Sequence, residues 1–93
     1  IKRRIKSIDP DAQIILFGSR ARNENMKNSD WDFLILTNLS ISEPLKKQIF
    51  DEFFETELET DEVLTAIIQN KIEWNTYSQT PIYSNIKKDG ILL

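Results

Sequence analysis

The sequence contains no cysteine and no histidine. Without cysteine there is no disulfide and no thiolate zinc site, and an intracellular, cytoplasmic setting is the expectation. Without histidine the commonest general base and neutral metal ligand are gone, and with them every Ser-His-Asp and Cys-His scheme. Any catalysis must run on carboxylates, lysine, arginine, hydroxyls, backbone amides and a bound ion. Long hydrophobic runs are missing as well. None approaches the roughly 20 residues of a membrane span, and no signal-peptide pattern is present. An excess of positive charge is also lacking: a net charge of −3 argues against nucleic acid as a partner of this domain alone. The basic cluster Lys2, Arg3, Arg4 and Lys6 alternates with Ile1, Ile5 and Ile8, and reads as the solvated face of an amphipathic helix.

What is present suits one small domain spanning residues 1–93, with 40% apolar content. Ile1, Ile5 and Ile8 recur at helical spacing, and Asp9-Pro10-Asp11 ends that helix. Gln13 to Phe17 is a continuous β-rich apolar run, a buried strand. Gly18-Ser19 follows at once, then a polar loop from Asn23 to Ser29 and a second strand from Asp30 to Thr37. Ser42 is placed to cap a helix with Pro44 in its first turn, running to about Leu58. Thr60 to Gln69 reads as a third strand. Lys71 to Thr80 reads as a loop or single turn, and Pro81 to Lys88 as a short helix stopped by Gly90. This order predicts an α/β (α+β) fold, a small mixed β-sheet with helices on one face. The other face is left open near the ends of the first two strands.

Two short stretches carry chemistry. In Ser29-Asp30-Trp31-Asp32-Phe33, strand alternation sends Asp30 and Asp32 to one face and Trp31 and Phe33 to the other. Two adjacent carboxylates opening an apolar strand repel each other and lose solvation. A divalent cation between them relieves both costs, and carboxylates completed by phosphates and water are what Mg²⁺ takes. In Gly18-Ser19-Arg20-Ala21-Arg22, a glycine turn directly after a buried strand lets backbone amides approach an anion. The Ser19 hydroxyl can donate to a phosphate oxygen, and Arg20 or Arg22 can grip phosphate bidentately. A phosphate cradle and a metal-binding pair on adjacent strands equip a domain for in-line attack at an α-phosphate.

Gly18-Ser19, ten residues, then Asp30-Trp31-Asp32 among apolar neighbours resembles the signature of the DNA polymerase beta-like nucleotidyltransferase superfamily. Within it, Gly18-Ser19-Arg20-Ala21-Arg22 with Ser29-Asp30-x-Asp32 is similar to the minimal nucleotidyltransferases. The resemblance is specific over Ile14 to Leu36 and looser to about Gln69. It implies that Gly18 and Ser19 hold nucleotide phosphates and that Asp30 and Asp32 bind Mg²⁺. A third carboxylate on the next strand completes two metal sites and helps activate the acceptor hydroxyl. Glu62 is favoured for that role because it adjoins the apolar run, with Asp61 the alternative. Asn23 stands where the family usually has glycine. The implied activity is transfer of a nucleoside monophosphate, AMP from ATP, onto an acceptor. A domain this small resembles the antitoxin half of toxin–antitoxin pairs, which implies a helical HEPN-type toxin as partner and a tyrosine hydroxyl as acceptor. The alternative is a nucleotide-binding or antitoxin interaction module without catalysis.

Other conspicuous residues have plainer readings. Trp31, Phe50, Phe53 and Phe54 are assigned to the core. Trp74, Tyr77 and Tyr83 are read as packing rather than base stacking. Lys27 is read as a solvated loop lysine, and the acidic residues from Asp51 to Glu59 as a helix's outer face.

Overall fold

The structure is a computed structural model that describes residues 1–22 and 30–93. The segment from Asn23 to Ser29, which the sequence reading takes as a polar loop and which includes Lys27, lies outside the described residues. Helix α1 (Lys2–Ile8) leads into β1 (Gln13–Phe17), and β2 (Trp31–Thr37) follows. Helix α2 (Glu43–Thr60) crosses to β3 (Leu64–Asn70). The chain closes with α3 (Lys71–Trp74), a 3₁₀ turn, α4 (Pro81–Asp89) and β4 (Ile91–Leu92). The four strands form one mixed sheet in the order β3-β2-β1-β4. β1 runs antiparallel to β2 and β4, whereas β3 lies parallel to β2 across the α2 crossover.

The element boundaries follow from local chemistry. The Ser42 hydroxyl accepts the Leu45 amide at 3.2 Å and caps α2, with Pro44 in the first turn. At its far end α2 runs past Leu58 to Thr60. Asp61 stops it in a left-handed conformation, φ 57°, with its N–H on the Glu57 carbonyl. The third strand therefore starts at Leu64 rather than at Thr60, because Glu59 and Thr60 belong to the helix and Asp61 to its cap. The β4 strand was not foreseen; two residues are too short to show an alternation.

β2 is buried on both faces from Phe33 to Thr37, as its continuous apolar run demands. On one face Ile14, Leu16, Phe33 and Ile35 pack with Ile5 of α1 and with Leu45, Ile49 and Phe53 of α2. On the other, Leu34 and Leu36 pack with Trp74 of α3 and Ile86 of α4, with Tyr83 against them. The mixed sheet is as expected. The placement of helices on one face holds for α1 and α2, while α3 and α4 add a second layer on the opposite face. Trp74 and Tyr83 are packing residues there, their rings 5.2 Å apart.

The three phenylalanines of α2 divide. Phe53 is 3% exposed and meets Phe33 edge-on at 5.7 Å, but Phe50 is 47% and Phe54 58% exposed. Helical geometry accounts for the correction. Leu45, Ile49 and Phe53 form the inward row, and each residue after them is turned about 100° away, so Phe50 and Phe54 continue with Leu58 along an outward row.

One buried polar group ties the layers together. Asp9, after α1, accepts the Thr37 hydroxyl at 2.5 Å, the Asn38 amide at 3.3 Å and the Asp11 amide at 3.0 Å. Burial by itself would raise its pKa; the hydrogen bonds from Thr37, Asp11 and Asn38 outweigh that and hold the carboxyl below the ordinary aspartate value.

Two outcomes are expected. Phe53→Ala should cost about 3–5 kcal/mol in urea unfolding, against no more than about 0.5 kcal/mol for Phe54→Ala. Because Asp9 titrates lower in the folded chain than in the unfolded one, its contribution is present above about pH 4 and lost as pH falls through the folded value. Asp9→Ala should lower neutral-pH stability by about 1–3 kcal/mol and flatten the acid limb of the stability curve, measured by denaturant melts between about pH 2.5 and 7.

Candidate functional site

The β1–β2 register places Phe17 opposite Asp32. Gly18, the next residue, consequently lies against the Asp32 side chain. Its φ is +76°, a conformation L side chains rarely adopt. A Cβ at this position would overlap carboxylate oxygen Oδ2 of Asp32 and stand 3.3 Å from its Cγ. Glycine is thus required twice, once by the backbone angle and once by the carboxylate beside it. The Gly18 carbonyl accepts the amides of Ala21 and Arg22, each at 3.1 Å, which coils residues 18–22 into a single helical turn. The opening amides of such a turn have no carbonyl partner within it and favour an anion.

Asp32 projects on the Leu34 side of the sheet, away from Phe33 and the α2 layer. The Thr65 hydroxyl, at the matching register position on β3, donates to its Oδ1. Asp30 stands exposed just before β2, and the ladder bond from the Trp31 amide to the Val63 carbonyl, 2.9 Å, carries extended pairing up to its neighbour. Asp30, Asp32, Gly18 and Ser19 therefore gather at one end of the sheet.

Arg20 and Glu62 do not join them. The Arg20 guanidinium stacks 4.5 Å from the Trp31 ring centroid, and its Nη2 lies 3.7 Å from Glu62 Oε2. Trp31 belongs to the Phe33 face, so both charged groups sit on the opposite side of β2 from Asp32. Trp31 packs against the first core as assigned and adds this cation–π contact. Asp61 is exposed at the C-cap of α2, where its backbone N–H bonds the Glu57 carbonyl. Among the described residues no group of three or more carboxylates comes together as a cation site. Arg22 is exposed and lines a cleft of about 400 Å³ between the Gly18 turn and α4, together with Phe17, Ile82, Asn85 and Ile86.

The sequence reading missed Thr65. A lone threonine in an apolar strand bears no chemical signature, and only the β2–β3 register reveals it as the neighbour of Asp32.

The family model of the nucleotidyltransferase domain matches residues 1–93. The chain belongs to that family. With the family comes the reaction class, transfer of a nucleotidyl group. No protein of curated function matches the chain. Among solved structures, this nucleotidyltransferase domain is similar to one described as the crystal structure of a toxin–antitoxin with AMP-PNP, at TM-score 0.64 and 16% identity. The match covers 98% of this chain and 70% of that one, and the likeness is one of fold.

Gly18→Ala should both strain the turn and push the Asp32 carboxylate aside. A loss of about 1–3 kcal/mol in thermal or urea unfolding is expected, together with weaker nucleotide binding by calorimetry. A crystal structure of the variant should show Asp32 rotated; an unmoved Asp32 would contradict the contact.

Proposed function

We propose that the domain transfers AMP from ATP, with Mg²⁺, to a hydroxyl on a partner protein. The observation that supports this most is the packing of the Gly18 turn on the Asp32 carboxylate, which brings an anion-seeking backbone and a metal-seeking side chain to one point. The triphosphate lies along the Gly18-Ser19 turn with the Ser19 hydroxyl donating to it, and Arg22 at the cleft mouth adds positive charge. The nucleoside end enters the cleft over Phe17, Ile82 and Ile86. Arg20 serves the site indirectly, holding the turn against Trp31.

Asp30 and Asp32 are hard oxygen donors beside a phosphate site, and they fit Mg²⁺. When bound, the ion supplies charge neutralisation at the phosphates and draws electron density from the α-phosphorus. The acceptor oxygen forms its bond to the α-phosphorus as the bond to the bridging oxygen breaks, and pyrophosphate leaves with that electron pair. The acceptor proton passes to an unprotonated carboxylate oxygen or to water, since the chain has no imidazole to take it.

As partner we propose a helical HEPN-type toxin, with a tyrosine hydroxyl as acceptor. The structural neighbour, solved as a toxin–antitoxin with AMP-PNP, supports this direction. A second reading, a nucleotide-binding module that restrains its partner by contact alone, draws support from one finding: Glu62 is paired with Arg20, and among the described residues no third carboxylate joins Asp30 and Asp32.

One experiment separates the readings. Wild type and the Asp30→Ala and Asp32→Ala variants are given α-labelled ATP, Mg²⁺ and the partner. Transfer to the partner that falls roughly 100-fold or more in either variant, with folding intact by circular dichroism, is the expected result. Nucleotide binding without any labelled partner supports the contact reading, and undiminished transfer in the variants rules out the assigned carboxylates.

A further inference from the structure

On β3, the position from which a side chain could share an ion with Asp32 is set by register. Asp32 pairs with Thr65, Phe33 with Ala66 and Leu34 with Ile67. Neighbouring strands lie about 4.8 Å apart, and register partners point to the same face. Moving along β3 by one residue reverses the face, and moving by two reaches Ile67 in one direction and Val63 in the other. Thr65 is thus the side chain that β3 sets beside Asp32 on that face. It offers a neutral hydroxyl whose proton is already committed to Asp32 Oδ1. The acidic residues closest in sequence do not replace it: Glu62 lies with Arg20 on the Trp31 side, and Asp61 sits exposed at the C-cap of α2 before the strand begins. Among the described residues no third carboxylate clusters with Asp30 and Asp32.

Charge bookkeeping points the same way. The triphosphate adds its own anionic oxygens to Asp30 and Asp32 around the ion that accompanies it. A second ion about 3.5–4 Å away, on the acceptor side, is repelled by the first and shares few of those oxygens, so it needs a further anionic ligand from the protein. Asp30 and Asp32 fit one ion; the donor set does not fit two.

We propose that the site takes a single divalent cation, and that Thr65 is a positioning residue standing where a carboxylate would recruit a second one. The inference rests on the proposed function and fixes its ion count. By donating to Oδ1, Thr65 sets the plane of the Asp32 carboxylate and keeps Oδ2 against the Gly18 turn. Because Thr65 is exposed, Thr65→Asp fits there without disturbing the core. That change supplies the missing anionic ligand.

The test counts ions rather than turnover. Mn²⁺ replaces Mg²⁺, and equilibrium dialysis with electron paramagnetic resonance measures protein-bound Mn²⁺ per bound non-hydrolysable ATP analogue. Wild type is expected to hold one and Thr65→Asp two, with spin–spin broadening of the signal in the variant alone. Two ions per nucleotide in wild type would overturn the proposal, and that count needs no variant. One ion in Thr65→Asp, with nucleotide still bound, would overturn the role given to position 65. Failure of wild type to retain nucleotide with Mn²⁺ has a separate signature: it removes the proposed function, and the ion count falls with it.

Discussion

The antiparallel register of β1 on β2 is the constraint on which the site depends. It brings the residue after Phe17 alongside Asp32, and only glycine fits there. Both demands on Gly18, the positive φ and the absent Cβ, arise from that one alignment. A slip of one residue would turn Asp32 toward the α2 core and bury a charge where Phe33 now packs. The hydrophobic pattern of the sheet and the chemistry of its end are therefore specified together. Core residues on both faces lock the register, and the register builds the site.

The two helical layers serve this arrangement differently. α1 and α2 cover the face carrying Phe33 and Ile35 and reach toward the strand ends, where Arg20, Trp31 and Glu62 close the layer. α3 and α4 cover the other face only over Leu34 and Leu36. Asp32 is left at the uncovered margin, with the cleft between the Gly18 turn and α4 beside it. Asp9 fastens the start of β1 to the end of β2 through Thr37 and Asn38, at the sheet end remote from the site. The polar group that stabilises the fold is thereby separated from the polar groups of the candidate site.

Much of this was legible in the residues. The first two strands, the caps Ser42 and Pro44, and the nearness of Gly18 to Asp32 follow from local pattern and turn chemistry. So does the family, since Gly18-Ser19 and Asp30-x-Asp32 sit in one short stretch. What was not legible depended on long-range geometry. The end of α2 hinged on whether Asp61 would take a left-handed cap, which the acidic run Glu59 to Glu62 does not reveal. That choice sets the start of β3, hence which residue faces Asp32, and so the placement of Glu62 and Thr65. Phe50 and Phe54 went astray for a related reason: helical spacing identifies rows of residues but not which row meets the sheet. The second helical layer was hidden for the same reason. Tyr83 and Ile86 stand at helical spacing in the short helix read from Pro81, but that spacing does not say which face of the sheet it meets, and Trp74 lies in a segment that reads as a loop or single turn.

The sequence holds two tryptophans, and the fold assigns them to different regions. Trp31 lies under the Arg20 guanidinium at the Gly18-turn end, whereas Trp74 is buried beside Tyr83 in the second layer. Their indoles sit in unlike surroundings, one against a cation and partly wet, the other dry and among rings. The protein thus carries a built-in pair of optical probes. One reports on the Gly18 turn, and the other on the integrity of the α3–α4 layer.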